Sequence, residues 1–312
     1  MGQDVGAEPC VALGGHGGPI EAYPGREVKL TDLSITRVLP VRDRRLVGPW
    51  CFLDRFGPLA FTEAKPMDVA PHPHIGLQTV TWLLDGEILH DDSLGYDATA
   101  RPGGVNVMTA GGGIAHAEQT PRHHSGHLSG VQLWVALPEA SRHGDAAFQQ
   151  VVEVPTADVR GGLVRVFAGS LAGVTSPAIH HTPISGAELR VHPGERLAFE
   201  VPRTFEHAAL LLEGDATSEA TPFAPHVLYY FGSGRTEIAL SSRAGARVLF
   251  IGGPPFSESI LMWWNFVART PEEIATARAD WEAGRFGAVK GYDGAPLPAP
   301  PLARFARPEP AS

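Results

Sequence analysis

At 312 residues and 43% apolar content, the chain exceeds what one hydrophobic core usually serves and has enough apolar side chains for two. A net charge of -9 and a pI of about 5.8 exclude direct nucleic-acid binding as its business. No run approaches the roughly 18 apolar residues of a membrane span, and the first residues lack a basic start followed by an apolar signal core, which predicts a cytoplasmic chain with no membrane contact. Two cysteines, Cys10 and Cys51, make no disulfide framework and fit a reducing compartment.

The 36 glycines and 28 prolines punctuate many short β-rich runs, a pattern of all-β sandwiches or barrels rather than of alternating strands and helices. In chain order, residues 1–22 read as a flexible Gly-rich tail, and residues 23–145 as a first barrel. Within it Arg37, Arg42, Arg44 and Arg45 form a basic cluster, read as a solvated edge. His72-Pro73-His74 then enters a strand-like run, Ile75 to Leu84, that ends in the hairpin signal Asp85-Gly86. The turn cluster Thr109-Ala110-Gly111-Gly112-Gly113 is followed by no Lys-Ser/Thr, so it is a tight turn rather than a phosphate loop. His116-Ala117-Glu118 comes directly after it, and His123, His124 and His127 read as a surface loop.

Residues 146–292 read as a second barrel. Ala209 to Asp215 (ALLLEGD) echoes Thr81 to Glu87 (TWLLDGE) at an offset of 128, which places Glu200 and Pro202 at the positions of His72 and His74. A looser alignment sets Ala244 and Ala246 opposite His116 and Glu118, so the second barrel is expected to hold no metal. Thr270-Pro271-Glu272-Glu273 opens a helix over 271–283 with Ile274, Ala277 and Trp281 as its apolar stripe and Gly284 as its stop. Residues 293–312 read as a mobile Pro/Ala-rich tail.

The two pairs carry the chemistry. Alternate residues of a strand point to one face, so His72 with His74, and His116 with Glu118, each present two donors side by side. Three imidazoles and one carboxylate make a cage for one divalent first-row transition metal with positions left open, provided the two strands lie close together. Because imidazoles bind only when neutral, metal retention is expected to fall below about pH 6.5.

The stretches PHPHIGLQTVTWLLDGEILHDD (71–92) and RPGGVNVMTAGGGIAHAEQTP (101–121) closely resemble the two metal-binding segments of the pirins, and LVGPWCFLDRFGP (46–58) and GVQLWVALP (130–138) are similar to further pirin segments. The likeness is strong from Arg37 to Pro138 and thinner beyond, where WWNFVARTPEEIATAR (263–278) looks like the tail of bacterial pirin-like proteins. The resemblance implies an all-β bicupin, two cupin-type β-sandwich barrels with a short C-terminal helix, whose first barrel holds a single iron, Fe(II), through His72, His74, His116 and Glu118. It further implies a dioxygenase similar to quercetin 2,3-dioxygenase, opening the ring of a flavonol bound through its 3-hydroxy-4-keto group, with Glu118 as base. The alternative it carries is an iron-dependent, redox-sensitive regulator that binds a transcription factor or metabolic enzyme without catalysis. Trp82, Trp134 and Met108 are candidates for the pocket wall. In one respect this chain departs from the pattern, having Gln78 where pirins commonly keep an acid; strand parity from His74 turns Gln78 to the metal's side.

Overall fold

The computed structural model describes residues 18–30, 33–61 and 66–302. Among them strands dominate, and the single α-helix is Pro271–Glu282. The first barrel pairs a seven-stranded sheet with a four-stranded one. The larger runs in the order Ala147–Val151, Val105–Thr109, Leu77–Gly86, His127–Ala136, Trp50–Ala60, Leu33–Leu39, Arg26–Leu30. The smaller is Asp68–His74, Ile114–Gln119, Ile88–Asp92, Asp97–Ala100. The second barrel repeats this plan strand for strand: Glu21–Pro24, Val227–Gly232, Glu206–Gly214, Ala246–Gly253, Ser185–Val191, Gly162–Leu171, Thr156–Val159 face Arg196–Glu200, Glu237–Ser241, Thr217–Ser218, Thr221–Pro222. The chain is therefore the all-β bicupin that the sequence led us to expect.

The boundaries differ from those read in the sequence. Glu21–Pro24, half assigned to a tail, pairs with Val227–Gly232 and closes the edge of the second barrel's large sheet. Ala147–Val151, placed beyond the first barrel, pairs with Val105–Thr109 and closes the edge of the first. The first barrel thus runs continuously from Arg26 to Val151, and the second takes one edge strand from before it. A sheet edge carries unpaired backbone groups, and these added strands pair with it.

The two large sheets pack face to face. Val80, Trp82, Val107, Val131 and Leu133 of one meet Phe167, Leu210, Leu249 and Ile251 of the other in a single buried cluster. Trp82 stacks on Phe167 with ring centroids 5.1 Å apart, and its indole N–H donates to the buried Glu188 carboxylate at 3.1 Å. Trp82 therefore belongs to the seam between barrels and not to a pocket wall. Of the basic cluster Arg42 is exposed, but Arg37 is buried in a two-pronged pair with Asp54 (2.9 and 2.8 Å), and Arg44 is buried with its guanidinium 3.7 Å over the Tyr230 ring.

After Gly253 the chain returns to the first barrel. Phe256, Ile260 and Val267 join Leu46, Phe52, Leu77, Met108 and Trp134 in one buried cluster. The helix starts as its sequence dictates, with Thr270 Oγ1 accepting the Glu273 N–H at 3.2 Å, and buries Ile274 and Ala277 beside Phe266 and Ile75. Arg142 pairs with Glu273 at 2.9 Å. The helix thus packs on the first barrel although the sequence reading placed it within the second. The segment read as a mobile tail is anchored as far as it is described, because Leu297 N–H donates to the Pro71 carbonyl at 2.8 Å and the Trp281 indole to the Leu297 carbonyl at 2.8 Å. Residues 1–17, with Cys10, and 303–312 lie outside the described residues. No described helix is long and apolar enough to cross a membrane.

Candidate metal centre

The strands Asp68–His74 and Ile114–Gln119 are antiparallel neighbours, and their register sets His116 opposite His72 and Ile114 opposite His74. A pleat sends His72 and His74 to one face, and pairing brings His116 to the same face of the adjoining strand. The donor nitrogens of His72, His74 and His116 all lie within 4.8 Å of one another, and the three residues are buried. The convergence expected of the three histidines is therefore present.

The supports of each ring tell which nitrogen is available. His72 Nδ1 is 2.9 Å from the Ala70 carbonyl and His74 Nδ1 is 3.0 Å from the Asn265 carbonyl. A carbonyl only accepts, so both Nδ1 atoms carry the proton and both Nε2 atoms present lone pairs. His74 Nε2 lies 3.0 Å from His116 Nε2. Two nitrogens each about 2.1 Å from a shared ion stand about 3.0 Å apart when they subtend a right angle at it, so the residues present fit a transition-metal ion. Burial holds the imidazoles neutral: His72 is pushed down to about 4, and His74 and His116 fall well below the ordinary value, with the neighbouring imidazoles adding to the effect. Proton competition for these nitrogens begins well below the pH 6.5 expected from free imidazole.

Glu118 is buried on the same strand as His116, but its carboxylate lies outside the group of donors within 4.8 Å of one another. A register shift falls between His116 and Glu118, so that Glu118 stands opposite Val69. Its Oε1 accepts from the Gln132 amide at 3.5 Å, and Gln132 Oε1 in turn accepts from the Thr81 hydroxyl at 2.8 Å. Burial raises the Glu118 carboxyl to about 7. Gln78 does not face this group. Gly76, at φ +68°, turns the chain from one sheet to the other between His74 and Leu77, and the turn breaks the strand parity. Gln78 instead binds Thr109 Oγ1, the Ile179 carbonyl and His180 Nδ1, tying down the second-barrel loop that precedes Ser185–Val191.

An apolar wall flanks the histidines. Trp134 meets His74 edge-on at 5.2 Å and stacks on Phe52 at 4.0 Å, and Met108 lies in the same cluster. Sequence reasoning missed His90 and Asp92. His90 Nδ1 is 3.2 Å from His116 Nδ1, and His90 Nε2 is 3.0 Å from Asp92 Oδ2. They stand at i and i+2, the same spacing that singled out the other two pairs. In the second barrel the strands corresponding to the ligand strands bury Leu197, Phe199, Ile238 and Leu240, which fill the space with hydrocarbon. The counterpart of the His116 strand is Glu237–Ser241, whereas Ala244 and Ala246, set opposite His116 and Glu118 by the looser sequence alignment, lie in the turn after it and in the next strand. Among the described residues the histidine cluster of the first barrel is the one group able to hold a metal.

Residues 32–135 match the pirin family model, and residues 186–287 match the model of the pirin C-terminal cupin domain. A Pseudomonas aeruginosa protein that carries a provisional quercetin 2,3-dioxygenase name is 43% identical over 272 residues, 86% of each chain. A pirin-like protein of Caulobacter vibrioides is 36% identical over 84% of this chain and 93% of its own. The crystal structure of a quercetin 2,3-dioxygenase from Acinetobacter baumannii is similar with a TM-score of 0.88 and 38% identity, covering 92% of this chain and 97% of that one.

Proposed function

Since the chain belongs to the pirin family, we propose that it is a cytoplasmic Fe(II)-dependent dioxygenase of the quercetin 2,3-dioxygenase type, which opens the ring of a flavonol. The observation that supports this most is the set of three buried, neutral imidazoles with converging nitrogens beside a buried carboxyl raised to about 7. His72, His74 and His116 would hold the ion, with Glu118 as the fourth ligand. When bound, the ion supplies Lewis acidity toward a chelating pair of oxygens and redox access to O2.

The protein's own groups do the rest. Trp134, which meets His74 edge-on, offers an apolar surface for an aromatic ring system. Glu118 receives the flavonol hydroxyl proton on a carboxylate oxygen. Gln132, itself held by Thr81, donates to Glu118 Oε1 and orients it. Protein loaded anaerobically with Fe(II) should bleach the yellow flavonol band only when O2 is also present. No bleaching across several flavonols with a fully loaded sample would overturn the reading.

A further inference from the structure

The strand Ile88–Asp92 lies on the far side of the ligand strand from Asp68–His74, and its register sets Asp92 opposite His116 and His90 opposite Glu118. Both side chains are buried. His90 stacks on Phe148 with centroids 4.3 Å apart and planes inclined by 17°, so its ring has little freedom to turn. Asp92 is fully buried, and its two oxygens have separate tasks. Oδ1 accepts the N–H groups of Leu94 (2.9 Å) and Tyr96 (3.0 Å), and Oδ2 faces His90 Nε2 at 3.0 Å.

We propose that Asp92 and His90 are positioning residues that lock His116 in the tautomer able to bind metal. This inference rests on the reading of the histidine cluster as a metal centre. A carboxylate only accepts, so His90 carries its proton on Nε2 and its Nδ1 is an acceptor. His116 Nδ1, 3.2 Å away, is then the donor, and His116 Nε2 is left as a lone pair. The competing arrangement puts the proton on His116 Nε2. From there it would be donated across 3.0 Å to His74 Nε2, and one hydrogen bond would consume two ligand atoms at once. The chain from Asp92 opposes that collapse and keeps two lone pairs pointed at the place where a cation belongs.

Asp92→Asn tests the proposal because it reverses the chain with little change of shape. The N–H groups of Leu94 and Tyr96 hold the Asn carbonyl on their side, so the amide NH2 faces His90 Nε2. His90 must then carry its proton on Nδ1 and donate to His116, which moves the His116 proton to Nε2. Histidine ring 15N spectra of the metal-free protein report the tautomer directly, with no metal and no turnover. We expect protonated Nδ1 at His116 in the native protein and protonated Nε2 in Asp92→Asn. Chelator competition with Co(II) should show metal binding weakened about 10- to 100-fold in the variant, with the unfolding midpoint of the metal-free protein within a few degrees of the parent. His90→Phe, which keeps the stack on Phe148 and removes the acceptor, should weaken Co(II) in the same range and covers the case in which Asp92→Asn does not fold. A His116 proton on Nε2 in the native protein, or unchanged Co(II) affinity in a folded variant, overturns the proposal. Native protein that binds no Co(II) although His116 is protonated on Nδ1 overturns the metal-centre reading instead, and leaves the hydrogen-bond chain standing.

Discussion

Two carboxylates near the centre differ in task because their surroundings differ. Asp92 collects three donors and acts as a fixed acceptor, whereas Glu118 has one long contact and a carboxyl raised to about 7 by burial. Glu118→Gln should keep the fold and slow flavonol bleaching by roughly 10²- to 10⁴-fold, the usual worth of a positioned base; stopped-flow absorbance under O2 checks this, and a loss below tenfold would remove Glu118 from the proton path. The same residue leaves a mark on stability. A carboxyl whose folded value is raised stabilises the metal-free protein fully below its ordinary 4.5, and the contribution is lost as pH rises through about 7. Glu118→Gln should abolish that loss, visible as a change in the slope of the unfolding midpoint between about pH 4.5 and 7. His72→Ala should reduce bound metal from about one per chain to near none, since two imidazoles without the third make a poor site.

At the scale of elements, the step from one sheet to the other at Gly76 decides which side chains see the centre. Gly76 is at φ +68°, and a Cβ there would stand 2.1 Å from the Val267 carbonyl oxygen. Val267 lies in the hairpin Leu261–Trp263 and Phe266–Ala268, whose turn residue Asn265 supplies the carbonyl that orients His74. Gly76→Ala should therefore destabilise the protein by about 1–3 kcal/mol and also weaken metal binding; thermal unfolding and metal titration of one preparation would show both, and an unchanged metal affinity would uncouple hairpin from site. The Asp85-Gly86 signal has a related lesson. Gly86 does adopt φ +84°, yet the strands on either side, Leu77–Gly86 and Ile88–Asp92, belong to different sheets, so the signal marks a corner of the barrel and not a hairpin. Local turn chemistry is the same in both cases; only the partner strands distinguish them.

At the scale of the whole molecule, two barrels and a returning C-terminal segment behave as one body with a common seam. Glu188 sits in that seam, fully buried, held by Arg190 at 2.7 Å and Arg247 at 2.8 Å and capped by the Trp82 indole. Removing it with Glu188→Ala leaves the buried Trp82 N–H and the partly exposed Arg190 and Arg247 without their acceptor and should cost about 1–3 kcal/mol, lowering a single cooperative unfolding transition rather than splitting it. Acid should act on the molecule through its buried histidines. His72, His180 and His207 are pushed down to about 4 by burial, and His74 and His116 are held well below the ordinary imidazole value. A depressed histidine contributes stability that is present above 6.5 and lost as pH falls toward its folded value, and these five outweigh the opposite trend of Glu118. Metal-free protein should lose stability steadily from pH 6.5 to 4 in calorimetry; a midpoint that stays level across that range would contradict the burial of these rings.

What the sequence determined by itself was periodic and local. Metal donors at i and i+2, a doubled plan with a repeated acid-Gly turn, and a capped helix all follow from side-chain alternation and hydrogen-bond chemistry, which act over a few residues. His90 and Asp92 obeyed the same spacing and were equally legible. What only the tertiary structure decided depended on contacts between distant segments: the crossing of Glu21–Pro24 to the second barrel, the return of residues 254–302 to the first barrel, the turning of Gln78 and Trp82 toward the second barrel, and the pairing of Arg37 with Asp54. Each is fixed by which surface is left uncovered once the sheets have formed, and that is a property of the assembled barrels and not of any short stretch of chain.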